Sequence, residues 1–186
     1  DLSSESLAKS YMKRFSSTDE AIHSLIKWQT AKSSTSGFVT GLGGIVTLPV
    51  AVPVNIASVL YVQMRMIAAI AYMRGYDLKD DQVQTFVFIC LTGQAASDIL
   101  KQSGITVGTK LTVQLIKKVP GATLTKINQK VAFRLVTKFG EKGVINLGKL
   151  VPVVGGVIGA SVDGVGTKII GNQAKKLFVE FDSPVI

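Results

Sequence analysis

Five basic side chains recur at every fourth position in the second half of the chain, a spacing that favours binding to an anionic surface. They are Lys126, Lys130, Arg134, Lys138 and Lys142. Residues four apart share one side of an α-helix, so these charges form one row, called here the basic stripe. An apolar row lies beside it at Ile127, Val131, Leu135 and Phe139. Paired rows of this kind are typical of helices that lie among membrane headgroups.

Two interpretations of this helix remain open. Either the apolar row enters lipid while the cations meet phosphates, or it faces the protein core and the cations face water. The charge distribution supports an anionic partner, because Lys101 to Lys149 holds ten Lys and Arg residues against a single acid, Glu141. The remainder of the chain is balanced, so the net charge of +9 is carried by this segment. With few aromatic residues interleaved, nucleic-acid binding is not predicted.

Residues that could perform catalysis are sparse. The single histidine, His23, and the single cysteine, Cys90, cannot supply a metal set of His and Cys ligands. Cys90 follows an apolar run, where burial makes a thiol unreactive, and a lone cysteine fits a reducing compartment. The glycine runs do not match a phosphate-binding loop, and no nucleophile elbow is present. We therefore expect a non-enzymatic protein without metal or cofactor.

Three charged residues lie within apolar helical segments and are predicted to be buried: Arg65, Asp98 and Asp163. An unpaired buried charge is costly, so we expect Arg65, Lys168 or backbone donors to hold the two acids. If the carboxylates instead come together, they offer an alternative, a lipid-directed hydrolase.

Two apolar segments broken by glycine and proline determine the predicted fold. Ser33 to Met64 carries no charge, and Leu150 to Thr167 carries only Asp163. Pro49 and Pro53 interrupt the first, so a re-entrant or buried hairpin is favoured over a simple membrane span. We predict an all-α, single-domain helical bundle with two Gly/Pro-broken apolar hairpin arms. Closely spaced small residues should pack Phe38–Val46 against Val153–Ala160.

Residues that commonly start or stop helices predict where the helices begin and end. Thr18 should restart the first helix, and Gly75 should end a helix that begins after a turn at Leu48–Pro53. The predicted elements are a helix over Ser6–Gln29, a polar hinge at Ala31–Ser36, a helix that runs to Ser103 and an amphipathic helix over Thr123–Phe139. The start of the helix that runs to Ser103 is marked by Asp77, Asp80 and Asp81. The predicted units are residues 1–36 (N-terminal helix and hinge), 37–178 (helical domain) and 179–186 (tail).

Several long motifs resemble the EcsC family of bacterial proteins. They are G-L-G-G-I-V-T-L-P-V-A-V-P at Gly41–Pro53, M-R-M-I-A-A-I-A-Y-M-R-G-Y-D at Met64–Asp77, the run from Lys126 to Asp163 ending G-G-V-I-G-A-S-V-D, and A-K-K-L-F at Ala174–Phe178. The resemblance spans about Ile22 to Phe178. It implies a transport-related role, because the family takes its name from a protein encoded beside the subunits of an ABC transporter. It provides no catalytic residues.

Together these features predict a membrane-associated or lipid-binding helical protein, accessory to a transport or membrane complex. Its expected location is the cytoplasm, peripheral or re-entrant at the inner face of the membrane. The expected partners are anionic lipid and a membrane protein. The alternatives are a pore-forming or membrane-disrupting effector built on the glycine-rich arms, the hydrolase described above, and a soluble interaction module.

Overall fold

A computed structural model describes the backbone of residues 2–43, 48–105, 113–139 and 152–178, and the side chains of most of these. The predicted all-α fold is confirmed, and the described residues contain no strand. The α-helices are α1 (Leu2–Met12), α2 (Thr18–Gly43), α3 (Leu48–Met73), α4 (Asp81–Cys90), α5 (Ala96–Gln102), α6 (Val113–Lys117), α7 (Gly121–Phe139) and α8 (Pro152–Leu177), with a 3₁₀ turn at Gly93–Ala95.

Local sequence signals determine several helix ends. Helix α2 begins at Thr18, as predicted, with Asp19 and Glu20 near its positive end. Helix α3 ends at Met73, and Gly75 stops it two residues later with a φ of 89°, which only glycine adopts readily. The Tyr76 amide then donates to the Ala71 carbonyl, the long hydrogen bond of a Schellman motif. This motif reverses the chain and sends Tyr76 into the core.

Helices α2, α3 and α8 form the central layer of the bundle. Helices α2 and α8 are antiparallel, because Lys175 near the end of α8 lies 3.5 Å from Asp19 at the start of α2. Further along the pair, Gly171 lets α8 approach Ile26 of α2 and Met66 of α3 closely. One turn beyond, the amide of Gln63 donates to the Thr167 hydroxyl across a buried contact of 3.2 Å.

The other helices cover this layer. Helices α1 and α4 pack on α3, while α7 packs on α4 and α5 and is thereby the outermost long helix. The core is continuous through these contacts. Tyr76 and Phe178 meet edge to face at 5.0 Å, joining the end of α3 to the end of α8.

Two predicted interruptions are wrong, and one helix predicted to be continuous is broken. The hinge at Ala31–Ser36 is helical, because α2 continues past it and buries Ser33. The turn at Leu48–Pro53 is the beginning of α3 instead, and Pro49 fits there because first-turn amides need no intrahelical acceptor. The helix expected to reach Ser103 is broken at Gly93, which has a φ of 61°.

The predicted contact between the glycine-rich arms lies outside the described side chains. Their helices α2 and α8 pack together, but nothing is described of the side chains in Phe38–Val46 or Val153–Ala160. The proposed boundary at 36/37 falls inside α2, and the tail 179–186 lies outside the described residues. No helix within the described ranges combines enough length and hydropathy to cross a bilayer.

Candidate functional site

Helix α7 carries the basic stripe and uses its apolar row for the protein core. Ile127 and Val131 are buried at 0% and 2% exposure, and Leu135 packs against the same cluster. Leu124, one turn earlier, is also buried. These residues cannot enter lipid while the bundle is folded. The second interpretation of the apolar row is therefore correct for Ile127 and Val131.

Two side-chain hydrogen bonds set the rotation of α7 about its axis. The Asn128 amide donates to the Thr85 hydroxyl of α4 at 3.3 Å. The Lys130 ammonium donates to the side-chain oxygen of Gln102, at the end of α5, at 2.7 Å. The sequence alone did not indicate either partner. These bonds flank the buried row and hold the remaining side of α7 toward solvent.

The solvent-facing side of α7 combines cations with one large aromatic residue. Lys126 and Arg134 are exposed, and Lys130 is half-buried. Phe133 is 72% exposed, the highest value among the large apolar side chains described. At 100° per residue, these four positions share an arc of about 100°. We call this arc the α7 basic face.

Phe133 is the residue that the row pattern overlooked. It falls outside the apolar row, and seven residues after Lys126 it returns to nearly the same angle on the helix. A helical-wheel projection of α7 places Phe133 among the basic residues, so this signal was present in the sequence. Its exposure is informative, because a phenyl ring in water leaves apolar surface unburied.

The α7 basic face carries no compensating acid from its own helix, since Gly121–Phe139 contains no Asp or Glu. Lys101, next in sequence to Gln102, adds an exposed cation at the adjoining end of α5. The Lys138 side chain and Lys142 lie outside the described residues. The described part of the predicted stripe is thus a compact cluster of three cations.

A groove of about 730 Å³ lies on the other side of α7, between this helix and α4. Its walls include Phe88, Leu124 and Leu135, together with the carboxylate-bearing Asp81. No Lys, Arg or His is among its lining residues. The groove therefore has no cation with which to recognise a phosphate, in contrast to the α7 basic face.

The predicted burial of acids requires correction. Asp98 is exposed, because the break at Gly93 gives α5 its own orientation, in which Ile99 and Leu100 face the core. The carboxylate lies in the first turn of α5, where water and the helix dipole stabilise it. The side chain of Asp163 lies outside the described residues.

Arg65 is half-buried and takes a different partner from the one expected. Its Nε and Nη2 atoms both donate to the Ser3 carbonyl of α1, each at 3.3 Å. Arg74, the residue that follows α3, is buried, and its guanidinium donates to the Asp19 carboxylate at 2.6 Å. Lys168, a predicted partner of the acids, is exposed.

The lone cysteine and histidine have ordinary environments. Cys90 is completely buried, and this burial raises the pKa of its thiol, which stays protonated and unreactive at neutral pH. His23 is exposed on α2. In the described ranges, no group of His, Cys, Asp and Glu side chains is placed to hold a metal ion.

Comparison with known proteins identifies the family. The model of the EcsC protein family matches residues 3–179, which extends the resemblance seen in the motifs to include α1. No curated protein and no solved structure matches the chain.

Proposed function

The chain belongs to the EcsC protein family, and we propose that it docks peripherally on anionic phospholipid through the α7 basic face. One observation carries this proposal: Phe133 is 72% exposed among Lys126, Lys130 and Arg134. Ammonium and guanidinium groups suit lipid phosphates, while an aromatic ring suits the boundary between headgroups and acyl chains. A role as an accessory to a membrane complex at the cytoplasmic face is consistent with this geometry.

The burial of Ile127 and Val131 limits how deeply α7 can enter lipid. Most of the binding free energy should therefore be electrostatic, with Phe133 as the one apolar contact among the described side chains of α7. Each Lys or Arg near an anionic surface contributes about 1 kcal/mol. Three such residues give about 3 kcal/mol, equivalent to about a hundredfold change in partitioning.

Vesicle flotation of a charge-reversed variant tests the proposal. We expect the wild type to float with vesicles of phosphatidylcholine and phosphatidylglycerol and to stay behind with phosphatidylcholine alone. K126E/K130E/R134E should lower partitioning onto the anionic vesicles at least about a hundredfold. The same loss should follow in 1 M salt, where the Debye length falls to about 3 Å.

A matched control separates the site from the net charge. K13E/K27E/K32E makes the same total change in charge at three exposed lysines outside α7, and it should retain most of the binding. Equal binding to neutral and anionic vesicles, or to neither, would reject the α7 basic face as a membrane site. That outcome would favour the soluble interaction module.

A further inference from the structure

A second feature, which shares no residue with the α7 basic face, is a cavity of about 220 Å³ that is open to solvent on one side and is bordered by α1, α3 and α4. Its inner walls are apolar and include Leu78, Val83 and Val87, all of them buried. A cavity of about 150 Å³ in another protein binds benzene. At the same volume per carbon atom, this cavity admits a chain of about nine carbons.

Polar residues line this cavity from three helices: Ser4 of α1, Gln84 of α4, and Tyr61 and Arg65 of α3. Tyr61, Arg65 and Ala68 all line it, and their spacing of four and three residues places them in one row. Tyr61 is 53% exposed, whereas Arg65 and Ala68 are half-buried, so the row leads from solvent toward the interior. Among the described residues that line the cavity, Arg65 is the one that carries a charge.

The hydrogen bonds of Arg65 orient its guanidinium without neutralising it. Both bonds go to the neutral Ser3 carbonyl, and no described carboxylate lies within the 4.0 Å that defines an ion pair. A guanidinium has five donors, so three remain after these two bonds. A half-buried, uncompensated guanidinium beside an apolar cavity is suited to a carboxylate that brings its own apolar chain.

We infer that this cavity binds a single-chain fatty carboxylate, with the carboxylate on Arg65 and the chain among Leu78, Val83 and Val87. The inference does not rest on membrane docking, because none of these residues belongs to the α7 basic face. It also gives a role to Arg65, whose charge within an apolar helix forms an ion pair with no described carboxylate.

Titration calorimetry with decanoate, below the concentration at which it forms micelles, tests the inference. Decanoate has nine chain carbons and one carboxylate, and we expect saturable binding with one molecule per chain. Acetate, which lacks the chain, should not bind detectably. Decan-1-ol, which lacks the charge, should bind at least about tenfold more weakly than decanoate, since ion-paired hydrogen bonds are the stronger ones.

Two kinds of variant distinguish the charge from the cavity. R65M should weaken decanoate at least about tenfold and leave decan-1-ol unchanged, whereas R65K should fall between the wild type and R65M. A68F fills the cavity and should abolish binding of both probes. A68L serves the same purpose with less added volume if A68F does not fold, as judged by thermal unfolding.

Cross-controls keep this inference separate from the proposed function. K126E/K130E/R134E should bind decanoate normally, and A68L should bind anionic vesicles normally. Absence of saturable decanoate binding to the wild type would overturn the inference. So would equal affinity of the wild type and R65M for decanoate, or undiminished binding by folded cavity-filled variants.

Discussion

Single residues determine how closely the central helices approach, and Gly171 shows this most directly. A Cβ at this position would lie 2.9 Å from Ile26 Cγ1 and 3.2 Å from Met66 Cε. The Ile26 atoms are attached to a branched carbon and cannot turn away freely. The hydrogen at Gly171 therefore permits three helices to meet at one point.

Substituting this glycine should destabilise the fold. We expect G171A to lower the free energy of unfolding by about 1–2 kcal/mol, because overpacking outweighs the improved helix propensity of alanine. Urea denaturation followed by circular dichroism measures the difference. G166A is the matched control, since its Cβ would meet only Gln63 Nε2 at 3.9 Å, and it should be neutral or stabilising by up to about 1 kcal/mol. Equal destabilisation by both variants would contradict a specific contact at Gly171.

The sequence predicted the ends of those helices that are started or stopped by residues close by in the chain. Thr18 begins α2 because the hydroxyl of the preceding Ser17 accepts from the Glu20 amide at 3.2 Å. The left-handed Gly75 stops the chain just after α3. The apolar side of α7 was also predictable, since its residues recur every three to four positions. Whether that side faces lipid or the protein core was left open by the sequence. These signals do not require knowledge of the tertiary fold.

Features set by distant contacts were not predictable. The polar residues of Ala31–Ser36 suggested a hinge, yet α2 remains helical there and packs along α8. The interruption at Gly93 occurs where Ile169 of α8 approaches to within 3.5 Å of a Cβ position. That break, in turn, exposes Asp98. The partner of Arg65 is a backbone carbonyl in α1, which no side-chain pattern could indicate.

Helix α7 allows a test of how the protein would contact lipid. Because Ile127 and Val131 are in the core, Phe133 should be the only described residue of α7 that inserts. We expect W28F/F133W, which moves the single tryptophan onto α7, to shift its emission to shorter wavelength with anionic vesicles. F133A should lower partitioning about tenfold, because part of the 1.5–3 kcal/mol available from burying the ring is lost.

Fluorescence and salt together determine whether the aromatic ring participates. The binding that persists in 1 M salt should decrease in F133A, since apolar contact is not screened. An unshifted tryptophan emission together with wild-type partitioning by F133A would show that the face binds through charge alone. Fluorescence of W28F without vesicles provides the baseline for the tryptophan signal.

At the scale of the whole molecule, the excess positive charge is confined to one segment of the chain, whereas the hydrophobic core is continuous. The excess of Lys and Arg falls between Lys101 and Lys149, whereas the remaining residues are balanced in sign. This asymmetry should orient the protein as it approaches an anionic surface, with α7 leading. Helix α7 packs mainly on α4 and α5, and its basic face is turned to solvent, so docking would leave the central layer of α2, α3 and α8 undisturbed.

One ionic cluster joins the three central helices at a common end. Asp19 of α2 accepts from Arg74, which follows α3, at 2.6 Å and lies 3.5 Å from Lys175 of α8. Partial burial alone would raise the pKa of Asp19, but the hydrogen bonds and charges of Arg74 and Lys175 outweigh it and lower the pKa below its ordinary value of 3.8. Ionised Asp19 therefore stabilises the folded state.

The pH dependence of a neutral variant tests this cluster. At pH 7 we expect D19N to lower the free energy of unfolding by about 1 kcal/mol relative to the wild type. The decrease is small because Asp19 is 63% exposed and solvent screens its charge. Since folding lowers this pKa, the contribution is present above about pH 4 and disappears as pH falls through the folded pKa. Urea denaturation at several pH values should thus show that the free energies of unfolding of the two proteins converge in acid.

D81N, at an exposed acid in the first turn of α4, is the control for general charge effects. A D19N deficit that is absent at pH 7, or that persists unchanged in acid, would contradict a structural role for the ionised carboxylate.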